Sequence, residues 1–189
     1  MDLSSFCVTV PNALDHRVCD ELVAMYNANP QFHERYDLNH APTMTMLNFT
    51  CNKSIHEKLH DYLVDVSFDC LEYYKRCVPE AKNFWPKEFS FENFRIKHYQ
   101  EGGNDRFDEH VDSVSLLTAK RFLIFFWYLN DVEEGGETEI TNMRIKVKPE
   151  KGKLIMFPPF WMFPHIGHPV TKGNKYLLSS YMHYDERSK

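Results

Sequence analysis

Phe89-Ser90-Phe91-Glu92-Asn93-Phe94-Arg95-Ile96-Lys97-His98-Tyr99 changes the rhythm of the chain. Before it, apolar residues recur three and four apart. Here they alternate with polar ones, the period of a strand with one covered face. The alternation predicts one long strand over 89–99. Further on, Arg121-Phe122-Leu123-Ile124-Phe125-Phe126-Trp127-Tyr128-Leu129 is apolar almost throughout and predicts a central strand covered on both sides. Shorter candidates lie at 107–112, 144–147, 153–157, 168–170 and 176–184. Turns such as Gly102-Gly103-Asn104-Asp105 and the loop at 130–136, with its Gly135-Gly136 pair, separate them. Many short strands joined by Gly and Pro turns predict a sandwich or barrel.

The first 88 residues read differently. Residues 6–10 predict a short strand stopped by Pro11. Asp15 is placed to cap a helix carrying Val18, Leu22, Met25 and Tyr26 at helical spacing and ending before Pro30. A loop is expected over 31–42 and β structure over 44–50. Ser54 is the expected cap of a longer helix with the stripe Ile55, Leu59, Leu63, Val66, Cys70 and Leu71, and with Tyr73, Tyr74 and Cys77 near its end, closed by Pro79. The expected organisation is a single domain over 1–189, with helical support and flanking strands in 1–88 and the catalytic core in 89–184.

Bulk composition narrows the classes. With 189 residues, 43% hydrophobic and 15% aromatic, the chain can fill one substantial core. A formal net charge of -5 argues against a nucleic-acid partner. The five cysteines, 7, 19, 51, 70 and 77, form no Cys-x-x-Cys pair and read as reduced thiols. The start of the chain has no basic-then-apolar signal pattern, and no window reaches the apolar length of a membrane span. These features lead to the expectation of a cytoplasmic protein with no membrane partner.

The chemistry lies between 107 and 176. His110 and Asp112 stand two apart, so a strand would send both to one side. With a distant His they meet the needs of a 2-His-1-carboxylate iron site, which leaves coordination positions open for a co-substrate and oxygen. His165 and His168 both offer the third ligand. Lys175, past Gly173, would lie deeper in a barrel than the metal, where a buried ammonium requires an anion. Lys172 is a nearby competitor. A dicarboxylate held at one end by iron would supply that anion at its other end, and the buried hydroxyl of Tyr128 also requires a partner.

Several motifs carry a resemblance. They are His110-x-Asp112, Tyr128-Leu129-Asn130-Asp131, Gly135-Gly136-Glu137-Thr138, the run from Pro149 to Phe157, and His165-x3-Pro169-Val170-x2-Gly173-Asn174-Lys175-Tyr176. Over roughly 90–184 the chain resembles the prolyl-4-hydroxylase-like branch of the iron(II)/2-oxoglutarate-dependent dioxygenases. The resemblance implies an α+β, mainly β fold: a double-stranded β-helix (jelly-roll) core with two or more N-terminal supporting helices. It implies that His110, Asp112 and His165 are the catalytic iron ligands, and the family spacing is what selects His165 over His168. It also implies that Lys175 and Tyr128, with Tyr99, bind 2-oxoglutarate. The implied cofactors are Fe(II), 2-oxoglutarate and O2, with ascorbate as reductant left open. The implied reaction hydroxylates a C–H bond as 2-oxoglutarate is decarboxylated to succinate and CO2. The presence of Asp112 favours hydroxylation, since halogenating relatives lack that carboxylate.

The expected substrate is a prolyl residue in a peptide or protein. A free amino acid or small metabolite is the alternative, and a cupin-like metal protein without oxygenase activity is the second. His56 and His60 are expected on a solvated helix face, and His98 and His183 as hydrogen-bonded packing residues. Trp127 with Phe122, Phe125 and Phe126 is expected in the core. Residues 31–52, 100–106, 113–120 and 158–164 are the candidate entrance loops.

Overall fold

The computed structural model describes residues 2–37, 42–102 and 104–185, with all of their side chains except those of Lys53 and Ile55. Along the chain run β1 (Val8–Val10), α1 (His16–Ala28), β2 (His33–Asp37), β3 (Thr43–Asn48), α2 (Glu57–Cys77) and α3 (Pro79–Asn83). They are followed by β4 (Phe89–Phe91), β5 (Arg95–Tyr99), β6 (Phe107–His110), β7 (Arg121–Tyr128), β8 (Glu134–Gly135), β9 (Thr138–Ile140) and β10 (Ile145–Val147). The last are β11 (Leu154–Phe157), β12 (His165–Gly167), β13 (Val170–Lys172) and β14 (Lys175–Tyr184).

A large sheet runs β1-β11-β7-β14-β5-β3-β2, with β4 added on β14. A smaller sheet runs β10-β9-β12-β6, and β13 pairs with β8. The ladders are antiparallel. This is the double-stranded β-helix that the sequence resemblance implied, with helices packed on one sheet.

The central strand explains the two-layer core. On β7, Leu123, Phe125 and Trp127 join the cluster that holds Leu22, Leu63, Leu71 and Tyr74 of the helices. Ile124, Phe126 and Tyr128 join a second cluster, which includes Ile140 and Val147 of the smaller sheet. A strand buried on both faces has no polar position left, hence its unbroken apolar run. Cutting Trp127 back to Ala costs about 3–5 kcal/mol by cavity formation.

The helices follow their local signals in part. Asp15 caps α1, accepting from the Arg17 amide at 2.7 Å, and the helix ends before Pro30. Ser54 does not cap α2, which begins at Glu57. Residues Thr50–Ile55 form a 3-10 segment instead. The Phe94 carbonyl accepts from the Phe49 and Thr50 amides at 2.9 and 3.3 Å, so tertiary bonds hold this segment where a local cap would otherwise form. The buried stripe is Leu59, Leu63, Ser67, Cys70, Leu71 and Tyr74. Ser67 takes the place expected for Val66 because it continues the four-residue step, and its hydroxyl donates to the Leu63 carbonyl. Tyr73 and Cys77 are exposed, and the side chain of Ile55 lies outside the described set. His60 is part-buried, hydrogen-bonded to Thr50 and stacked on Phe49, and is no solvated surface residue.

The strand expected over 89–99 is two strands. At Glu92 the chain leaves the ladder: its amide donates to the Tyr181 carbonyl at 2.8 Å and its carboxylate grips Arg121. The loop expected at 31–42 contains β2, an edge strand whose outward charges hide its period. Residues 38–41 of that expectation lie outside the described residues, as does Gly103 of the expected turn. Where a strand was expected at 168–170, β12 ends before His168 and β13 begins after Pro169. All five cysteines are free, and among the described residues no helix is long and apolar enough to cross a membrane.

Candidate metal and co-substrate site

Two strands of the smaller sheet set the centre. β6 carries His110 near its end, and β12 places His165 directly opposite it in register. Asp112 lies two residues beyond His110, past the end of the strand, yet reaches the same point. Ligand atoms of His110, Asp112 and His165 all lie within 4.8 Å of one another. Asp112 Oδ2 is 3.3 Å from His165 Nε2, and Asp112 Oδ1 is 3.9 Å from His110 Nε2.

The tautomers follow from the backbone. His110 Nδ1 donates to the Asp108 carbonyl at 2.7 Å, and His165 Nδ1 donates to the Phe163 carbonyl at 3.1 Å. A carbonyl only accepts, so each Nδ1 carries a proton and Nε2 is the nitrogen left to face Asp112. Burial, then the neighbouring His165, lowers the His110 pKa to about 4, which keeps that ring neutral at neutral pH. Burial alone would raise the Asp112 carboxyl; His165, His110 and Lys97 outweigh it and hold it below the usual range. Asp112 Oδ2 and His165 Nε2 are buried without a hydrogen-bond partner among the described residues. Three acceptor atoms turned toward one point, two of them orphaned, fit a metal cation.

Around the three, Tyr181 donates to Asp112 Oδ1 at 3.1 Å, and Arg121 donates to the Asp112 carbonyl at 3.2 Å. Phe107 stacks on the His110 ring at 3.4 Å, with 9° between the planes. His168 does not join the centre; it pairs with Glu139 at 2.6 Å. His98 bonds Asn174 and His183 bonds Ser90, as packing residues.

Lys175 opens β14 opposite Tyr99 of β5. It is 1% exposed and lines the same cavity as His110, His165 and Thr138. Its ammonium lies 4.8 Å from the Tyr99 ring and 5.8 Å from the Tyr128 ring. Among the described residues it makes no hydrogen bond or ion pair. Burial, then the charge of Lys97, lowers its pKa to about 7. Lys172, by contrast, is exposed and paired with Glu133. Tyr128 finds its partner within the chain, donating to Thr138 Oγ1 at 2.7 Å. Gly136 makes room: a Cβ there would stand 3.3 Å from the Lys175 stem.

Sequence reasoning missed Lys97, Thr138 and Tyr181 in this neighbourhood. Strand parity could have found two of them. Lys97 shares a face with Tyr99 on β5, and Tyr181 shares one with Lys175 on β14. Phe126, read as plain core, also lines the cavity.

Residues 94–183 match the model of the 2OG-Fe(II) oxygenase superfamily. Prolyl 4-hydroxylase 13 of Arabidopsis thaliana is 28% identical over 156 residues, covering 67% of this chain and 55% of that protein. The chain spans about half the length of the curated relatives it matches. Among solved structures, the viral collagen prolyl hydroxylase of Paramecium Bursaria Chlorella virus-1, in its 2OG complex, aligns with a TM-score of 0.74 at 21% identity, covering 95% of this chain and 97% of that one. A Trichoplax adhaerens prolyl hydroxylase in complex with a hypoxia inducible factor peptide fragment aligns with a TM-score of 0.77 at 15% identity, covering 96% and 84%. The resemblance drawn from the motifs is borne out: residues 94–183 are similar to the 2OG-Fe(II) oxygenase superfamily, and the relatives and solved structures named here are prolyl 4-hydroxylases or prolyl hydroxylases.

Proposed function

Because residues 94–183 match the 2OG-Fe(II) oxygenases, we propose that this protein hydroxylates a prolyl residue of a peptide or protein, using iron(II), O2 and 2-oxoglutarate. One observation carries the reading. A buried ammonium at Lys175, unpaired among the described residues, shares a cavity with His110 and His165, whose acceptors converge with that of Asp112. A metal there needs acceptors, and a dicarboxylate spanning metal and ammonium answers both ends. Bound iron supplies the means of activating O2 at the expense of 2-oxoglutarate, which leaves as succinate and CO2.

The chain's own residues have separate roles. His110, Asp112 and His165 hold the metal on one side only and leave the remainder open. Asp108 and Phe163 fix the tautomers through their carbonyls. Lys175 holds the far carboxylate. Thr138 accepts from Tyr128, so its own hydroxyl proton is free to turn to the same carboxylate. Tyr99 and Phe126 exclude water from the cavity. We take residues 1–189 as one catalytic unit, since β1, β2 and β3 complete the sheet that carries Tyr99 and Lys175.

A cupin-like metal protein has no use for Lys175, which counts against that reading. A free amino acid in place of a peptide changes the substrate and not the site. The test is mass gain of one oxygen across a proline-peptide library, with succinate measured in parallel. Succinate coupled to peptide oxidation, absent in His110→Ala, is expected. Oxidation that persists undiminished in His110→Ala would show that the metal is held elsewhere.

A further inference from the structure

Beside the metal centre, on the inner face of the large sheet, lies a second cavity of about 240 Å³. Its walls include Arg95, Lys97, Arg121, Met44, Met46 and Tyr181. Two of these residues tie it to the centre. Lys97 lines both this cavity and the one that holds His110 and Lys175. Tyr181 donates directly to Asp112. A molecule bound here lies against residues that border the metal centre.

The charges of this cavity are unbalanced. Arg121 is held by both oxygens of Glu92, at 2.7 and 2.8 Å, and Arg95 approaches the same carboxylate at 3.7 Å. Glu92 is the one carboxylate paired with these cations among the described residues. Lys97 has none. It is 7% exposed, and among the described residues its ammonium makes no hydrogen bond or ion pair and rests 5.4 Å from the Phe126 ring. A buried ammonium in that condition is costly until an anion meets it. Lys175 stands in the same condition at the inner end of the neighbouring cavity. With Asp112 turned to the metal, two ammoniums without an ion pair among the described residues fit two carboxylates, and the co-substrate's distal carboxylate goes to one of them.

We infer that Lys97, with Arg95 beside it, receives a carboxylate of the substrate, so that this protein selects a substrate carrying an acidic group close to the carbon it oxidises. The inference rests on the oxygenase reading and narrows its substrate class. Met46, the cross-strand neighbour of Lys97 on β3, and Met44 two residues before it would pack the apolar stem of such a substrate. The carboxylate has two sources of the same chemistry: an acidic side chain beside the proline of a peptide, or the α-carboxylate of a free amino acid.

Protein loaded anaerobically with iron(II) and 2-oxoglutarate can be titrated calorimetrically with two matched pairs. One is a blocked Glu-Pro-Gly peptide against its Gln-Pro-Gly twin; the other is free proline against prolinamide. The acid member of one pair should bind roughly tenfold or more tightly, the worth of a charge-assisted hydrogen bond. That margin should vanish in Lys97→Met and survive in Lys97→Arg. The pair that shows it identifies the source of the carboxylate. If Lys97→Met fails to fold, Arg95→Gln is read in the same way, with a reduced margin expected. Equal binding within both pairs, or a margin that Lys97→Met leaves untouched, overturns the inference. Succinate release in air is measured separately. Its absence with the margin intact would sink the oxygenase reading alone; its presence without the margin would sink the carboxylate site alone.

Discussion

His110 and His165 face each other across an antiparallel ladder, ring centroids 4.2 Å apart, and each donates Nδ1–H to the carbonyl two residues before it. The same device on two strands turns both Nε2 lone pairs toward Asp112. The arrangement of the three side chains is thus set by the backbone.

Metal binding should raise the thermal stability. With Asp112 Oδ2 and His165 Nε2 orphaned in the folded chain, a divalent ion satisfies both. At a free concentration one hundred times Kd, the gain is about 2.7 kcal/mol. Differential scanning fluorimetry with manganese(II) should show the rise in the wild type and none in Asp112→Ala. An equal rise in the variant would place the ion elsewhere.

Tyr181→Phe removes the hydroxyl that orients Asp112 Oδ1 without changing side-chain volume much. Metal affinity should fall roughly 10- to 100-fold, the usual effect of losing such an orienting bond. Competition with a metal-binding dye measures it. Unchanged affinity would mean that Asp112 is positioned without Tyr181.

Affinity for 2-oxoglutarate should fall as pH rises above about 7. In the free protein the Lys175 pKa is lowered to about 7 by burial and by Lys97, with Glu137 opposing. A bound carboxylate holds Lys175 protonated, so above that pKa binding must take up a proton. The slope approaches roughly tenfold in Kd per pH unit. Lys175→Met should flatten the profile and weaken binding about 10- to 100-fold. It should also leave the ligand-free protein at least as stable, since a buried charge is gone. A steep profile in Lys175→Met would assign the titration to another group.

Gly135→Ala should destabilise the fold. Gly135 has φ +77°, and a Cβ there would lie 2.3 Å from the Pro169 carbonyl oxygen. Strain of about 1–3 kcal/mol is expected from the backbone alone, and the clash adds to it. Urea unfolding would show this as a lowered midpoint; an unchanged midpoint would mean that the turn relaxes freely.

The legible parts of this protein were those where local chemistry and global fold agree. The apolar run of β7, the Asp15 cap and the His110-x-Asp112 spacing each state their role in a few residues. What escaped was decided between segments. β2 hides behind Glu34, Arg35 and Asp37, whose exposure on an edge strand removes the period. Ser54 lost its cap because Phe94, forty residues away in the chain, holds the preceding turn. Lys97 looked like the polar half of an alternating strand, yet alternation says nothing about which face is covered. Because the inner face is the one that meets the smaller sheet, the same parity that buries Tyr99 also buries Lys97.

One cavity should hold iron at His110, Asp112 and His165 and the far end of 2-oxoglutarate at Lys175. The most direct measurement is the anaerobic visible spectrum of the protein with iron(II) as 2-oxoglutarate is added. A weak charge-transfer band should grow in the wild type, be absent in His165→Ala, and need far more 2-oxoglutarate in Lys175→Met. No band in the wild type, or a Lys175→Met titration that overlays the wild type, would contradict the account.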